Sequence, residues 1–375
     1  MKSWLAVRGL SAVAVAACTV WVGLARGDEA SPVVVDPRKA GVDYDYQGEY
    51  MGFISPGYRR RKMGVQIVAR GGSEIASAEF PGGLPGSGWT RRDRKWMTGG
   101  RNGHFAKIAG QPGRLLVLPD EVWVYDARGV RRGVLKKVVR RSPTLGAVPP
   151  PGAVVLFDGT STERLVHARV TGDGLLAEGA MTRDPVEDFF MHVEFRIPFK
   201  PEARGQARGN SGIYIQQRYE VQILDTFGLE GVENECGALY KTRRPDVNMC
   251  LPPLTWQTYD IEFRAARFDA QGNKIADARL TLRHNGVLIH NNVAIPHKTG
   301  AGRKEGPEPR PILLQNHHNP VRYRNLWLIH RSRSSGDDAQ RSHPNLARKP
   351  RRATRRVLPP GTARPTQLDA LLARK

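Results

Sequence analysis

Alternation of apolar and polar residues is the dominant pattern of the chain. Met63 to Ala69 alternates as a half-buried strand does. Val122-Trp123-Val124-Tyr125 runs into Asp126-Ala127-Arg128-Gly129, a strand entering a turn. Beyond Val154 the signal strengthens. Met191, Val193, Phe195 and Ile197 alternate with His192, Glu194 and Arg196. Tyr259, Ile261 and Phe263 alternate with Asp260, Glu262 and Arg264. Arg279 to His284 and Val287 to His290 flank Asn285-Gly286, a pair that accepts the positive φ of a type I′ hairpin turn. Leu313 to Gln315 and Tyr323 to Ile329 add two strands around a turn at Asn319-Pro320. With 40 glycines, 27 prolines and few helical periods, the chain is expected to be all-β, as two packed antiparallel sheets.

The pattern divides the chain. Residues 1–27 read as a signal peptide: Lys2 and Arg8, an apolar run from Leu10 to Leu24, and Ala25-Arg26-Gly27 before cleavage at Asp28. Val15-Ala16-Ala17-Cys18 resembles a lipoprotein processing box, but the apolar run continues past Cys18. Residues 28–145 form a small β-rich accessory domain, 146–152 a Pro-rich linker, 153–331 a β-sandwich and 332–375 a basic, disordered tail. The leader places the mature chain outside the cytoplasm, periplasmic or extracellular, in a bacterial envelope. After cleavage only Cys236 and Cys250 remain, which in an oxidising compartment invites a disulfide worth about 3 kcal/mol. Two buried free thiols are the alternative.

The net charge of +22 is unevenly spread. Residues 332–375 hold eleven Lys or Arg against three acids. Without aromatic residues this tail has nothing to stack on bases, so no nucleic-acid partner is expected, while an anionic envelope surface is a candidate contact. Three basic clusters, Arg59–Lys62, Arg91–Lys95 and Arg131–Arg141, mark the accessory domain. They fit either an acidic partner or solvated strand edges.

Chemistry concentrates between Gly209 and Tyr240. Read as one strand, Ile213, Ile215, Tyr219, Val221 and Ile223 share a core face, while Tyr214, Gln216, Arg218, Glu220 and Gln222 share the other. That polar face is either solvated or a concave sugar-binding surface. It leads to Asp225 and a loop with Glu230, Glu233 and Glu235. Gln315 and His317 share a face at a strand end. A divalent metal is conceivable there, although no metal-ligand spacing motif occurs and the ligands are unknown. Tyr214, Tyr240 and Trp256 are candidates either for stacking on a sugar or for the core.

Several stretches, in this order, resemble the 3-keto-disaccharide hydrolase family. They are Val155-Leu-Phe-Asp-Gly159, Gly209-Asn-Ser-Gly-Ile-Tyr214, Tyr219-Glu-Val-Gln-Ile-Leu-Asp225, Glu233-Asn-Glu-Cys-Gly-Ala-Leu-Tyr240, Asn248-Met-Cys250, Trp256 to Phe263, Asn285-Gly286, and Asn319 to Asn325. The resemblance implies a concanavalin A-like jelly roll and cleavage of glycosides oxidised at the 3-position. Laminarinase-like relatives of that sandwich carry Glu-x-Asp-x-x-Glu on a concave strand; the comparable spacing here is Glu220-x-Gln222-x-x-Asp225, with the middle acid lost. A 3-keto sugar needs a base for the C2 hydrogen, a group at the ketone and an acid for the leaving oxygen. On this reading Glu220 is the base, Arg218 or a metal ion meets the ketone, and Asp225 or His317 is the acid. Gln216, Gln222, Tyr214, Glu235, Tyr240 and Gln315 would bind the carbohydrate substrate. A lectin-like sugar-binding module without catalysis is the alternative.

Overall fold

The computed structural model describes residues 33–57, 59–110 and 113–332; the expected leader, and the tail beyond residue 332, lie outside the described residues. The alternation in the first part of the chain becomes an up-and-down meander. Its strands are β1 (Gly48–Ile54), β2 (Arg61–Ala69), β3 (Glu74–Pro81), β4 (Lys95–Asn102), β5 (Phe105–Ala109), β6 (Gly113–Val117), β7 (Glu121–Asp126) and β8 (Arg131–Val138). Strand β8 pairs with β1, Gly52 opposite Leu135, and closes an eight-stranded barrel. Tyr50, Val65, Ile67, Ile75, Ile108, Val117 and Val122 fill its interior. Closure leaves the meander no free edge.

The second part forms two sheets. Alternation in β13 (Phe189–Arg196), β16 (Trp256–Arg264) and β19 (Ala278–His284) sends Phe195, Tyr259, Ile261 and Leu282 to one face. These strands lie in the larger sheet with β20 (Val287–Ile295), β22 (Arg322–His330), β9 (Val154–Phe157) and β11 (Leu176–Ala177). Asn285 and Gly286 take the positive φ values, 51° and 78°, that the β19–β20 turn requires. The smaller sheet runs β10 (Leu165–Val166), β12 (Met181–Thr182), β21 (Leu313–Leu314), β14 (Ser211–Ile215), β15 (Tyr219–Ile223). Its inner residues Ile213, Ile215, Val221, Ile223 and Leu314 meet those of the larger sheet in one core. The remaining strands, β17 (Arg267–Phe268) and β18 (Lys274–Ala276), form a separate ribbon. The expected all-β jelly-roll sandwich is the observed fold.

Barrel and sandwich share buried contacts. Val68 and Ala76 on the barrel's outer surface belong to the sandwich core cluster, so β2 is buried on both faces. Arg208 donates through Nε to Asp225 Oδ2 at 2.7 Å and through Nη2 to the Ala69 carbonyl at 3.1 Å. One guanidinium thus ties the loop before β14, the loop after β15 and the end of β2. The Pro-rich connection does not stand free. Thr144 Oγ1 donates to Asp260 Oδ2, Gly146 N donates to Glu194, and Asn325 donates to the Ala147 carbonyl. These bonds strap the segment across the outer face of the larger sheet, beside buried His192, whose Nδ1 lies 2.6 Å from Asp260 Oδ1.

The expected disulfide is not formed. Cys236 and Cys250 are free, buried thiols. Their side chains interact with each other, Cys236 Sγ also lies 3.2 Å from Tyr259 Oη, and Cys250 Sγ donates to the Leu224 and Leu251 carbonyls.

Because Asp225 and Arg208 are both buried, removing one partner strands a charge. Arg208→Ala is expected to lower the free energy of unfolding by about 3–5 kcal/mol, read by urea denaturation. A loss under about 1 kcal/mol would mean that this pair does not tie the segments together.

Candidate active site

Strands β14 and β15 form a hairpin in which Gly212 faces Gln222 and Tyr214 faces Glu220. Period-2 geometry puts these four residues on the face opposite the core. The segment is not the single strand expected from its alternation. Gln216 and Gln217 both adopt positive φ, 53° and 55°, and reverse the chain. The alternation resumes in phase after the turn, so Glu220 and Gln222 still fall on the expected face. Gln216 and Arg218, expected there too, are turn residues. Gln216 donates to the Val186 carbonyl and accepts from Arg218 Nη1, while Arg218 Nε donates to the Lys304 carbonyl.

Glu220 is the centre of this face. Its carboxyl leans over Gly212, where an added Cβ would lie 2.6 Å from Glu220 Oε1. Glycine at 212 therefore provides the space that the carboxyl occupies. Tyr214 Oη donates to Glu220 Oε2 at 2.7 Å. No hydrogen bond to Oε1 is formed among the described residues. Burial disfavours the carboxylate and raises the pKa from 4.5 to about 7, with the Tyr214 hydrogen bond opposing the rise. Burial, and then the neighbouring carboxylate, push the Tyr214 phenol upward, so it stays a donor at neutral pH.

The outer edge of β15 is closed. Tyr240 N donates to the Glu220 carbonyl, Gln222 N to the Ala238 carbonyl, Gly237 N to the Gln222 carbonyl, and Glu220 N to Thr299 Oγ1. The half-buried Tyr240 ring packs where a Cβ of Gly300 would stand, 2.7 Å from its Cδ1. Tyr214 is likewise buried, and Trp256 sits under the guanidinium of Arg324 at 4.0 Å.

Three amide side chains surround Gly212. Gln206 Nε2 donates to the Asn234 carbonyl, which leaves Gln206 Oε1 as the acceptor. Asn210 Nδ2 and Gln222 Nε2 each donate to that oxygen at 3.0 Å. This fixes which way both amides point, and their own carbonyl oxygens are left without a partner among the described residues. Gln315, whose N donates to the Gly212 carbonyl, likewise has an unpartnered, buried Oε1. The site thus presents unsatisfied acceptors beside one carboxyl, an arrangement matched by a ligand rich in hydroxyl donors. Sequence reasoning missed Gln206, Asn210, Gly212 and Thr299. Only the Gly209-Asn210-Ser211-Gly212 motif offered a signal.

Two expected acids are elsewhere. Asp225 is not on the face: β15 ends at Ile223, no bulge returns the chain, and the carboxylate is committed to Arg208 and to the Phe227 amide. His317 is exposed in the loop after β21, where its carbonyl accepts from Asn319 Nδ2. Glu235 caps a turn, accepting from the amides of Gly231 and Val232. Glu220 is the one carboxyl among the expected acids that reaches the face. Among the described residues no group of three or more His, Cys, Asp or Glu gathers as metal ligands would.

Residues 152–329 match the model of the 3-keto-alpha-glucoside-1,2-lyase-like domain family. The sandwich belongs to that family. It is similar to a predicted glycosyl hydrolase of Parabacteroides distasonis ATCC 8503, at 31% identity over 48% of this chain and 84% of that one, with a TM-score of 0.45. A second structure from the same organism, also a predicted glycosyl hydrolase, shares 20% identity over 48% of this chain and 98% of that one, with a TM-score of 0.34. No curated protein matches the chain. Family membership makes the sandwich carbohydrate-active in kind; the substrate and the chemistry are a separate question.

The raised pKa of Glu220 has a consequence for stability. Between about pH 4.5 and about 7 the folded state keeps a proton that the unfolded state has lost, so stability falls as pH rises across that window. The shift corresponds to about 3 kcal/mol. Glu220→Gln should remove this slope and gain stability relative to wild type at pH 8 but not at pH 4. Denaturant melts at the two pH values test it; equal effects at both would contradict a desolvated carboxyl.

Proposed function

We propose that the chain cleaves 3-keto-glycosides by elimination followed by hydration, with Glu220 as the base. The observation that carries this reading is the buried Glu220 carboxyl, poised near neutral pH with one oxygen free, on the polar face of the β14–β15 hairpin. Inverting and retaining glycosidases need two carboxyl groups in defined roles. A face that only Glu220 of the expected acids reaches favours a different chemistry. In a 3-keto sugar the ketone acidifies the C2 hydrogen. Glu220 takes that proton, the C1–O glycosidic bond breaks, and its electrons leave with the aglycone oxygen. A C1=C2 double bond conjugated with the ketone remains. Water then adds, hydroxide to C1 and a proton to C2.

Asp225 and His317 are not required on this account. Protonated Glu220 can hand its proton to the departing oxygen, so that one carboxyl serves as base and then as acid. Tyr214 holds the carboxyl in place and favours its ionised form before proton removal. The unpartnered oxygens of Asn210, Gln222 and Gln315 accept from sugar hydroxyls and fix the ring above Glu220. We further propose that the protein works outside the cytoplasm, as the leader suggests.

Incubation with 3-keto-trehalose and with trehalose tests the reading. Only the keto sugar should be cleaved, and in D₂O the released 3-keto-glucose should carry deuterium at C2. Cleavage without deuterium at C2 would exclude the elimination, and sugar binding without cleavage would favour a lectin. Glu220→Gln should lower kcat/KM at least 10²-fold, the lower end of what a positioned acid–base group contributes.

The activity should rise with pH through about 7 as Glu220 ionises. Tyr214→Phe removes a donor that stabilises the carboxylate, so the rise should move to higher pH, by about one unit or more. A profile unmoved by this substitution would separate the titration from Glu220.

A further inference from the structure

Positive charge is concentrated on the barrel. Residues 48–141 hold nineteen Lys or Arg against seven Asp or Glu, whereas residues 152–330 hold twenty-two against twenty-one. Within the barrel the charge is polarised again. In an up-and-down meander, the β1–β2 and β7–β8 connections and the starts of β2, β6 and β8 share one end. Arg59, Arg60, Arg61, Arg114, Arg128, Arg131 and Arg132 lie there, in a sector formed by the neighbouring strands β2, β1, β8, β7 and β6. The one acid in that sector, Asp126, is paired with Arg132. The other six arginines are exposed, and none makes a salt bridge among the described residues. The sandwich packs elsewhere on the barrel, at Val68, Ala76 and Trp96.

Three of the arginines sit over outward-facing rings. Arg60 lies 4.1 Å from the Phe53 centroid, Arg131 4.9 Å from Trp123, and Arg114 4.9 Å from Tyr125. Such a contact restrains a guanidinium whose N–H groups can still meet an oxyanion, carboxylate or sulfate. It also occupies one side of each ring, where a nucleobase would otherwise stack.

We propose that this arginine rim binds an acidic polysaccharide, through carboxylate or sulfate groups along the polymer, and holds the sandwich next to glycan. The preference for a polysaccharide over nucleic acid rests in part on the proposed function of the sandwich. Like-signed, uncompensated charge at one end of a barrel raises the local concentration of such a polymer and makes binding salt-dependent.

The test measures binding of the full chain to polygalacturonate, dextran sulfate, neutral dextran and duplex DNA, at about 50 and about 200 mM salt. Polygalacturonate and dextran sulfate should bind, neutral dextran should not, and affinity should fall with salt. Arg59→Glu/Arg60→Glu/Arg128→Glu/Arg131→Glu should lose about tenfold or more in affinity. The control Arg351→Glu/Arg352→Glu/Arg355→Glu/Arg356→Glu changes the net charge equally and should lose less than about threefold. A neutral series, Arg→Gln at the same four rim positions, decides the matter if the reversed rim does not fold. Equal losses from rim and control, no binding of either acidic polymer, or tighter binding of DNA at the same salt would overturn the proposal. No turnover is involved, so Glu220→Gln should bind normally. Inactivity toward keto sugars would leave this result untouched.

Discussion

The candidate site depends on one cross-strand contact, the hydrogen bond from Tyr214 to Glu220. The hairpin register brings the two residues opposite each other, and the missing side chain at Gly212 lets the carboxyl fold inward. Burial alone would drive this carboxyl to stay protonated. The tyrosine restrains that drift and leaves the group able to exchange a proton near neutral pH. The amides around it obey a similar constraint. The Asn234 carbonyl orients Gln206, which orients Asn210 and Gln222, and so the acceptor character of the site is set by a backbone atom outside it.

Much of the fold was legible because alternation is a local signal. The inner residues of β13, β16, β19 and β22 could be read from period 2, and Asn285-Gly286 announced its turn. The Gln216-Gln217 reversal was not legible, because neither residue belongs to the usual turn set and the apolar alternation stays in phase across it. Barrel closure was hidden for a different reason. It rests on pairing β1 with β8, strands that stand far apart in sequence and carry no mark of their partnership.

The site was legible in part. Tyr214, Glu220 and Gln222 follow from strand parity, and parity survives folding. Asp225 and His317 lie past strand ends, where parity no longer governs direction. Asp225 looked catalytic by spacing, but its fate is decided by Arg208, a residue in a different loop. A carboxylate beside a polar face is a candidate only until its counter-ion is found. Cys236 and Cys250 were legible as a pair, since the even count predicts that they meet, and their side chains do interact, as free thiols.

The closed edge of β15 matters beyond the active site. A hairpin at the border of a sheet, carrying an apolar inner row, is a template on which another chain could add a strand. Here residues 237–240 and Thr299 take up backbone groups along that border. The segment that frames the carboxyl therefore also acts as a guard against self-association. Variation in the loop that supplies Tyr240 is constrained by colloidal behaviour as well as by chemistry, and a change tolerated by the site could still leave the protein prone to aggregate.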